Sequence, residues 1–98
     1  MLIVDEDERM NAYAWMITRD HLDNSDATII GPWDASHTPE DIAKNGTAFR
    51  MYDDDGDLYY SGRIVGDFDG LEPLEDFGMP AAGCTEIRLF MDGKWRTV

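Results

Sequence analysis

The stretch "TAFRMYDDDGDLYYSGRIV", residues 47–65, decides the fold. Two runs rich in aromatic and β-branched residues flank a short acidic break. Within that break Asp55-Gly56 supplies the positive φ that a tight hairpin turn requires. The spacing predicts strands over 47–52 and 58–65 joined by "DDDGD". Alternation along the second strand places Tyr59 and Tyr60 on opposite faces, one in a core and one at the surface.

Outward from this hairpin the same signals recur. "TEIRLFM" (85–91) and "KWRTV" (94–98) read as a second hairpin about Asp92-Gly93. "AYAWMIT" (12–18) alternates large and small residues and reads as a half-buried strand. After the turn "RDHLDNSD", a short strand is expected at "ATII" (27–30), ending at the "GPW" break. Trp15 and Trp95 are expected in the core, and Trp33, after the break, is read as a local packing plug of its loop rather than an exposed aromatic. "HTPEDIAKNG" is the clearest helix: Thr38 as N-cap, Pro39 at the first position, Glu40 and Asp41 in the first turn, Lys44 in the last, Gly46 after it. Two turns of helix are marginal alone, so Ile42 and Ala43 must pack on a sheet. The connection "GDFDGLEPLEDFGMPAAG" is expected to hold one helical turn at 73–77. Together these give an α+β domain: an antiparallel sheet of about four or five strands with one short helix packed on a face. Residues 1–11 read as an acidic N-terminal extension and 12–98 as a single domain.

Composition bounds the function. The 98 residues carry 21 acids and eight bases, a net charge of −13, with 43% hydrophobic residues. A chain this apolar can build a core, so the charge decorates a folded body. Its field repels nucleic acid and anionic membranes and attracts cationic surfaces. Direct nucleic-acid binding also needs bases among its aromatics, whereas Tyr52, Tyr59 and Tyr60 border acids. The bases Arg50, Arg63, Arg88 and Arg96 fall within strands, while most acids fall in turns, so loop rims are expected to be strongly negative. One cysteine excludes a disulfide framework and fits a reducing compartment. "MLIV" running into "DEDER" is neither a leader peptide nor an anchor, so the cytoplasm is the expected location.

No catalytic or metal set stands out. An EF-hand alignment on Gly56 or Gly70 puts Met51 or Val65 where the first ligand belongs. His21 and His37 have no paired-ligand spacing. Cys84 has Glu86 for a sequence neighbour in a negative field, which opposes thiolate formation and favours a small buried residue at a strand start. No glycine-rich phosphate cradle is present. The expectation is a protein that is not an enzyme and holds no cofactor or metal.

"YAWMITRDHL", "GPWDAS", "FRMYDDDGDLYYSGRI" and "DFDGLEPLEDFG" resemble a group of small uncharacterised acidic proteins of actinobacterial genomes and mobile elements. In size, acidity and lack of catalytic residues the chain is also similar to phage-encoded anti-CRISPR proteins and other DNA mimics. The first resemblance implies a bacterial context. The second implies an inhibitor that occupies the basic, nucleic-acid-binding surface of a partner protein, a CRISPR effector among the candidates. Duplex DNA carries one charge per roughly 1.7 Å of its axis, and clustered carboxylates can take its place in a Lys/Arg groove. The expected contacts are Asp53, Asp54, Asp55 and Asp57 on the hairpin, with Asp67, Asp69, Glu72, Glu75 and Asp76 on the long connection. The alternative is a small cytosolic bacterial housekeeping or regulatory domain whose acidity serves solubility only. Evenly scattered acids would mark it. No residue pattern fixes the oligomeric state.

Overall fold

The 47–65 hairpin forms as its turn chemistry dictates and lies at the centre of the structure. The computed structural model describes residues 13–32 and 37–98. The expected extension 1–11 and the loop residue Trp33 lie outside the described residues. Strands β3 (Thr47–Tyr52) and β4 (Leu58–Gly66) pair antiparallel from Thr47↔Ile64 to Tyr52↔Leu58. Gly56 at the turn has φ +84°, a conformation glycine adopts without a Cβ penalty.

Each strand of this hairpin takes a further partner. On the outer side of β4 lies β1 (Tyr13–Asp20), followed by β2 (Ser25–Gly31). On the outer side of β3 lies β5 (Glu86–Met91), followed by β6 (Lys94–Thr97). The result is one six-stranded antiparallel sheet in the order β2-β1-β4-β3-β5-β6. The α+β class is as expected, with one strand more than the upper count. The edge strand β2 starts in the polar "SDAT", which carries little alternation, so it is longer than the four residues its apolar part suggests.

The two faces of the sheet are covered differently. On one face Trp15, Ile17, Phe49, Met51, Ile64, Ile87 and Leu89 form the main core with Leu74 and Cys84. Its cover is the long connection, which contains a π-helical turn (Leu74–Gly78) and a helical turn α2 (Met79–Ala82). Burying each large apolar side chain here contributes about 1.5–3 kcal/mol. On the other face helix α1 (Pro39–Asn45) seats Ile42 on Ala14, Met16 and Val65. Its caps are those the sequence implies: the Thr38 side chain accepts from the Asp41 N–H, and the Gly46 N–H bonds the Ile42 carbonyl.

Among the described residues helix α1 covers only the β1/β4 part of its face, and no other described element covers the rest, called the open part below. There the reading of Trp95 is corrected. It lies half-buried on the open side of the sheet, because its parity on β6 matches Phe90 and Arg88 rather than Leu89. Gly62 on β4 meets a close approach: a Cβ there would lie 2.2 Å from the Met16 carbonyl oxygen and 2.6 Å from the Phe49 ring.

Candidate partner-binding surface

The acidic hairpin tip is built by its own first residue. The Asp53 carboxylate accepts backbone N–H bonds from Asp55 (3.0 Å) and Asp57 (2.8 Å), and the Gly56 N–H bonds the Asp53 carbonyl. This is an Asx-type turn, in which a short side chain stands in for backbone. The Asp57 N–H, with help from its neighbours, holds the Asp53 carboxyl below the usual carboxylate range. The consequence is dense charge: one oxygen from each of Asp53, Asp55 and Asp57 lies within 4.8 Å of the others. Asp54, Asp55 and Asp57 are exposed.

The register adds acids that sequence reasoning missed. Asp20 pairs with Tyr60, which places the β1–β2 turn at the same end of the sheet as the β3–β4 turn. Asp20 caps that turn by accepting from the Leu22 and Asp23 N–H groups. Tyr52 pairs with Glu86, so the start of β5 lies there too. The signal was available, because antiparallel neighbours bring alternate turns to one end.

The long connection does not join this group. Asp67 follows the last residue of β4 and Asp57 precedes its first, so nine strand residues separate them. At about 3.3 Å per residue the gap is roughly 30 Å. Three of its carboxylates also have structural work. Asp69 accepts from the Leu71 N–H, Glu72 accepts from the Asp69 and Gly70 N–H groups, and Asp76 accepts from the Tyr13 hydroxyl and the Trp15 indole N–H. Asp67 and Glu75 are exposed, and among the described residues none donates a hydrogen bond to their carboxylates. The nine carboxylates therefore fall into two groups at opposite ends of β4.

The remaining reactive side chains are placed as follows. Cys84 is fully buried, and burial pushes its thiol up to about 11. His21 shares a 2.8 Å hydrogen bond with the Ser61 hydroxyl. Burial, with Arg19 and Arg50 nearby, moves its pKa below the ordinary histidine value.

The open part of the α1 face is chemically unlike the rest of the molecule. Arg50 and Arg88 are direct cross-strand partners there. The Arg50 guanidinium lies 4.2 Å from the centre of the Trp95 ring, and that of Arg88 lies 4.3 Å from the centre of Tyr52. Arg88 is also ion-paired with Glu86. Glu86 is held below the usual carboxylate range first by that hydrogen bond. Arg63, on the same face by register, donates to the Gly46 carbonyl.

No protein-family model, curated protein or solved structure matches the chain. The likeness to actinobacterial acidic proteins and to anti-CRISPR proteins rests on sequence features alone.

Proposed function

We propose that this protein is a non-catalytic inhibitor that binds a basic, nucleic-acid-binding surface of a partner protein, with a CRISPR effector as the concrete candidate. The observation that carries the reading is the hairpin tip. Asp53 fixes the loop from within, so Asp54, Asp55 and Asp57 present their charge from a preorganised turn. Preorganisation lowers the ordering cost of binding. Asp20 and Asp23 on the adjacent turn add charge at the same end of the sheet. The contact surface is accordingly this end, and Asp67, Asp69, Glu72, Glu75 and Asp76 are not needed for it. Cytoplasmic residence belongs to the same proposal. Among the described residues no helix is long and apolar enough to cross a membrane.

The test is competition. A purified CRISPR effector is titrated with the chain while its duplex-DNA binding is followed, at several salt concentrations. The expected result is inhibition that weakens with salt as the displaced DNA contact does. The triple variant Asp54→Lys, Asp55→Lys, Asp57→Lys, which leaves Asp53 to hold the turn, should lose inhibition. Asp67→Lys with Glu75→Lys should keep it. Equal potency of the triple variant and the parent chain would sink the assignment.

A second reading, acidity for solubility alone, is favoured by one observation: the acids lie at both ends of the sheet and along the covering connection. It predicts that no salt-labile, DNA-competed partner is captured from a bacterial host carrying defence systems.

A further inference from the structure

The sheet ends on one side at β6, and among the described residues no element pairs with the outer edge of that strand. Asp92 and Gly93, at φ +55° and +78°, make a two-residue turn, which leaves Met91 and Lys94 as the hydrogen-bonded pair beside it. Bonded and non-bonded pairs then alternate along the ladder. Arg96 and Val98 turn their backbone groups toward β5, and the Val98 N–H reaches the Ile87 carbonyl at 3.1 Å. Trp95 and Thr97 fall at the alternate positions. Their N–H and C=O groups point away from the sheet, spaced to receive another strand.

Two bases mark this edge. Lys94 and Arg96 are exposed; among the described residues Lys94 has no carboxylate partner, and Arg96 reaches Asp92 only at 3.8 Å. Residues 86–98 hold three bases, Arg88, Lys94 and Arg96, against two acids, Glu86 and Asp92, in a chain of net charge −13. Lysine on an edge strand commonly keeps other strands away. Here the pair of cations also chooses among them. A second β6 laid antiparallel, with Trp95 kept on its own face, sets Lys94 or Arg96 opposite a cation, which is unfavourable. A strand with carboxylates at those positions meets opposite charge instead.

We propose that β6 is the docking edge for an extended acidic segment of a partner protein, added to the six-stranded sheet as a further strand. Arg96 pairs with Leu89 and Trp95 with Phe90, so the two bases lie on one face and the two rings on the other. The docked segment therefore alternates, with acids opposite Lys94 and Arg96 and apolar residues beside Trp95. Phe90 is 44% exposed and its ring centre is 5.2 Å from that of Trp95, an aromatic pair open to such a neighbour. Backbone bonds to Trp95 and Thr97 supply affinity that is blind to sequence, and the acid–apolar alternation supplies the selection. Tyr52 pairs with Glu86, so β5 runs away from the acidic hairpin tip and β6 begins at the far end of the sheet. This edge is thus separate from the tip and does not depend on what binds there.

The probe is the synthetic peptide Glu-Val-Glu-Val-Glu-Val, blocked at both ends, titrated into the full chain and followed by two-dimensional NMR with amide exchange. Saturation should slow exchange at the Trp95 and Thr97 amides and shift the Trp95 indole N–H, leaving the hairpin tip unmoved. The counterpart Lys-Val-Lys-Val-Lys-Val should bind more weakly by about tenfold or more. Lys94→Glu combined with Arg96→Glu should reverse that order. A second measurement leaves the protein unaltered: of two acidic probes methylated on alternate sets of backbone nitrogens, one should lose binding and the other keep it, because only one set faces β6. Equal binding of the acidic and basic probes, equal binding of both methylated forms, or unchanged exchange at Trp95 and Thr97 would overturn the proposal. So would protection of these two amides that grows with protein concentration in the absence of peptide, since a second copy would then fill the edge.

Discussion

Trp15 donates its indole N–H to the Asp76 carboxylate at 2.9 Å, across 61 residues of sequence, and the Tyr13 hydroxyl donates to the same oxygen. One carboxylate thus ties the π-helical turn to β1. Replacing Asp76 with Ala leaves the buried indole N–H without its partner, at a cost of about 1–3 kcal/mol. Asp76→Asn keeps an acceptor and should cost less. Urea unfolding of the two variants checks the order, and equal losses would show that packing rather than the hydrogen bonds holds the turn.

Asp53 and Asp54 are neighbours with different tasks. Asp53→Ala removes the acceptor for the Asp55 and Asp57 N–H groups, so hydrogen exchange at those amides should accelerate. Asp54 is exposed and accepts no side-chain hydrogen bond among the described residues, so Asp54→Ala should leave exchange unchanged and stability within about 0.5 kcal/mol of the parent. The Asp53 carboxyl titrates below the usual range, so its charged form favours the native turn. That contribution is present above the ordinary aspartate pKa and is lost as pH falls through the lowered one. Exchange at Asp57, corrected for its intrinsic pH dependence, reads it directly.

Gly62 has no room for a methyl group. Gly62→Ala would drive a Cβ against the Met16 carbonyl and the Phe49 ring, and both belong to the sheet centre rather than to a flexible tip. A loss of about 3 kcal/mol is expected by thermal or urea unfolding. Gly83→Ala tests the contrasting case. No atom lies near its Cβ position, and the penalty there comes only from φ +75°.

Alkaline pH should weaken the fold through Cys84. Its native pKa, raised to about 11 by burial, exceeds the ordinary thiol value of 9.0. The native state therefore holds the proton longer than the unfolded chain. Stability is fully present below pH 9 and falls as pH rises toward 11, by up to about 3 kcal/mol. Tyr13 and Tyr60, both raised first by burial, extend the loss above their ordinary value of 10.0. Cys84→Ala removes the thiol's share, so the stability gap between parent and variant should narrow from pH 8 to pH 11.

The sheet was legible in the sequence wherever turn chemistry was explicit. Asp55-Gly56 and Asp92-Gly93 each mark a hairpin that forms, and Thr38-Pro39 marks the start of α1. Local signals also located Cys84, but the expected split of Tyr59 and Tyr60 between core and surface is corrected: the register shifts between Met51 and Tyr52, and Tyr59 packs against the same core that holds Tyr60. What they could not supply is set by non-local pairing. The placement of Asp57 and Asp67 at opposite ends of β4 follows from strand length and register, which no single segment contains. Asp76 reads as one more surface acid until β1 is laid beside the connection. Trp95 reads as core because a tryptophan in a strand usually is. Its exposure on the open face depends on which side of the sheet the connection covers.

The strand order has a kinetic side. β3 and β4 are joined locally, and each then accepts a neighbour from far along the chain: Trp15 on Ile64, and Ile87 on Met51. Long-range pairings carry the loop-closure entropy, so the central hairpin is the natural template on which β1 and β5 condense. Its turn is also where four carboxylates must be drawn together before those neighbours arrive. A nucleus that gathers like charge early meets its repulsion in the transition state, and added salt should therefore quicken folding more than it slows unfolding.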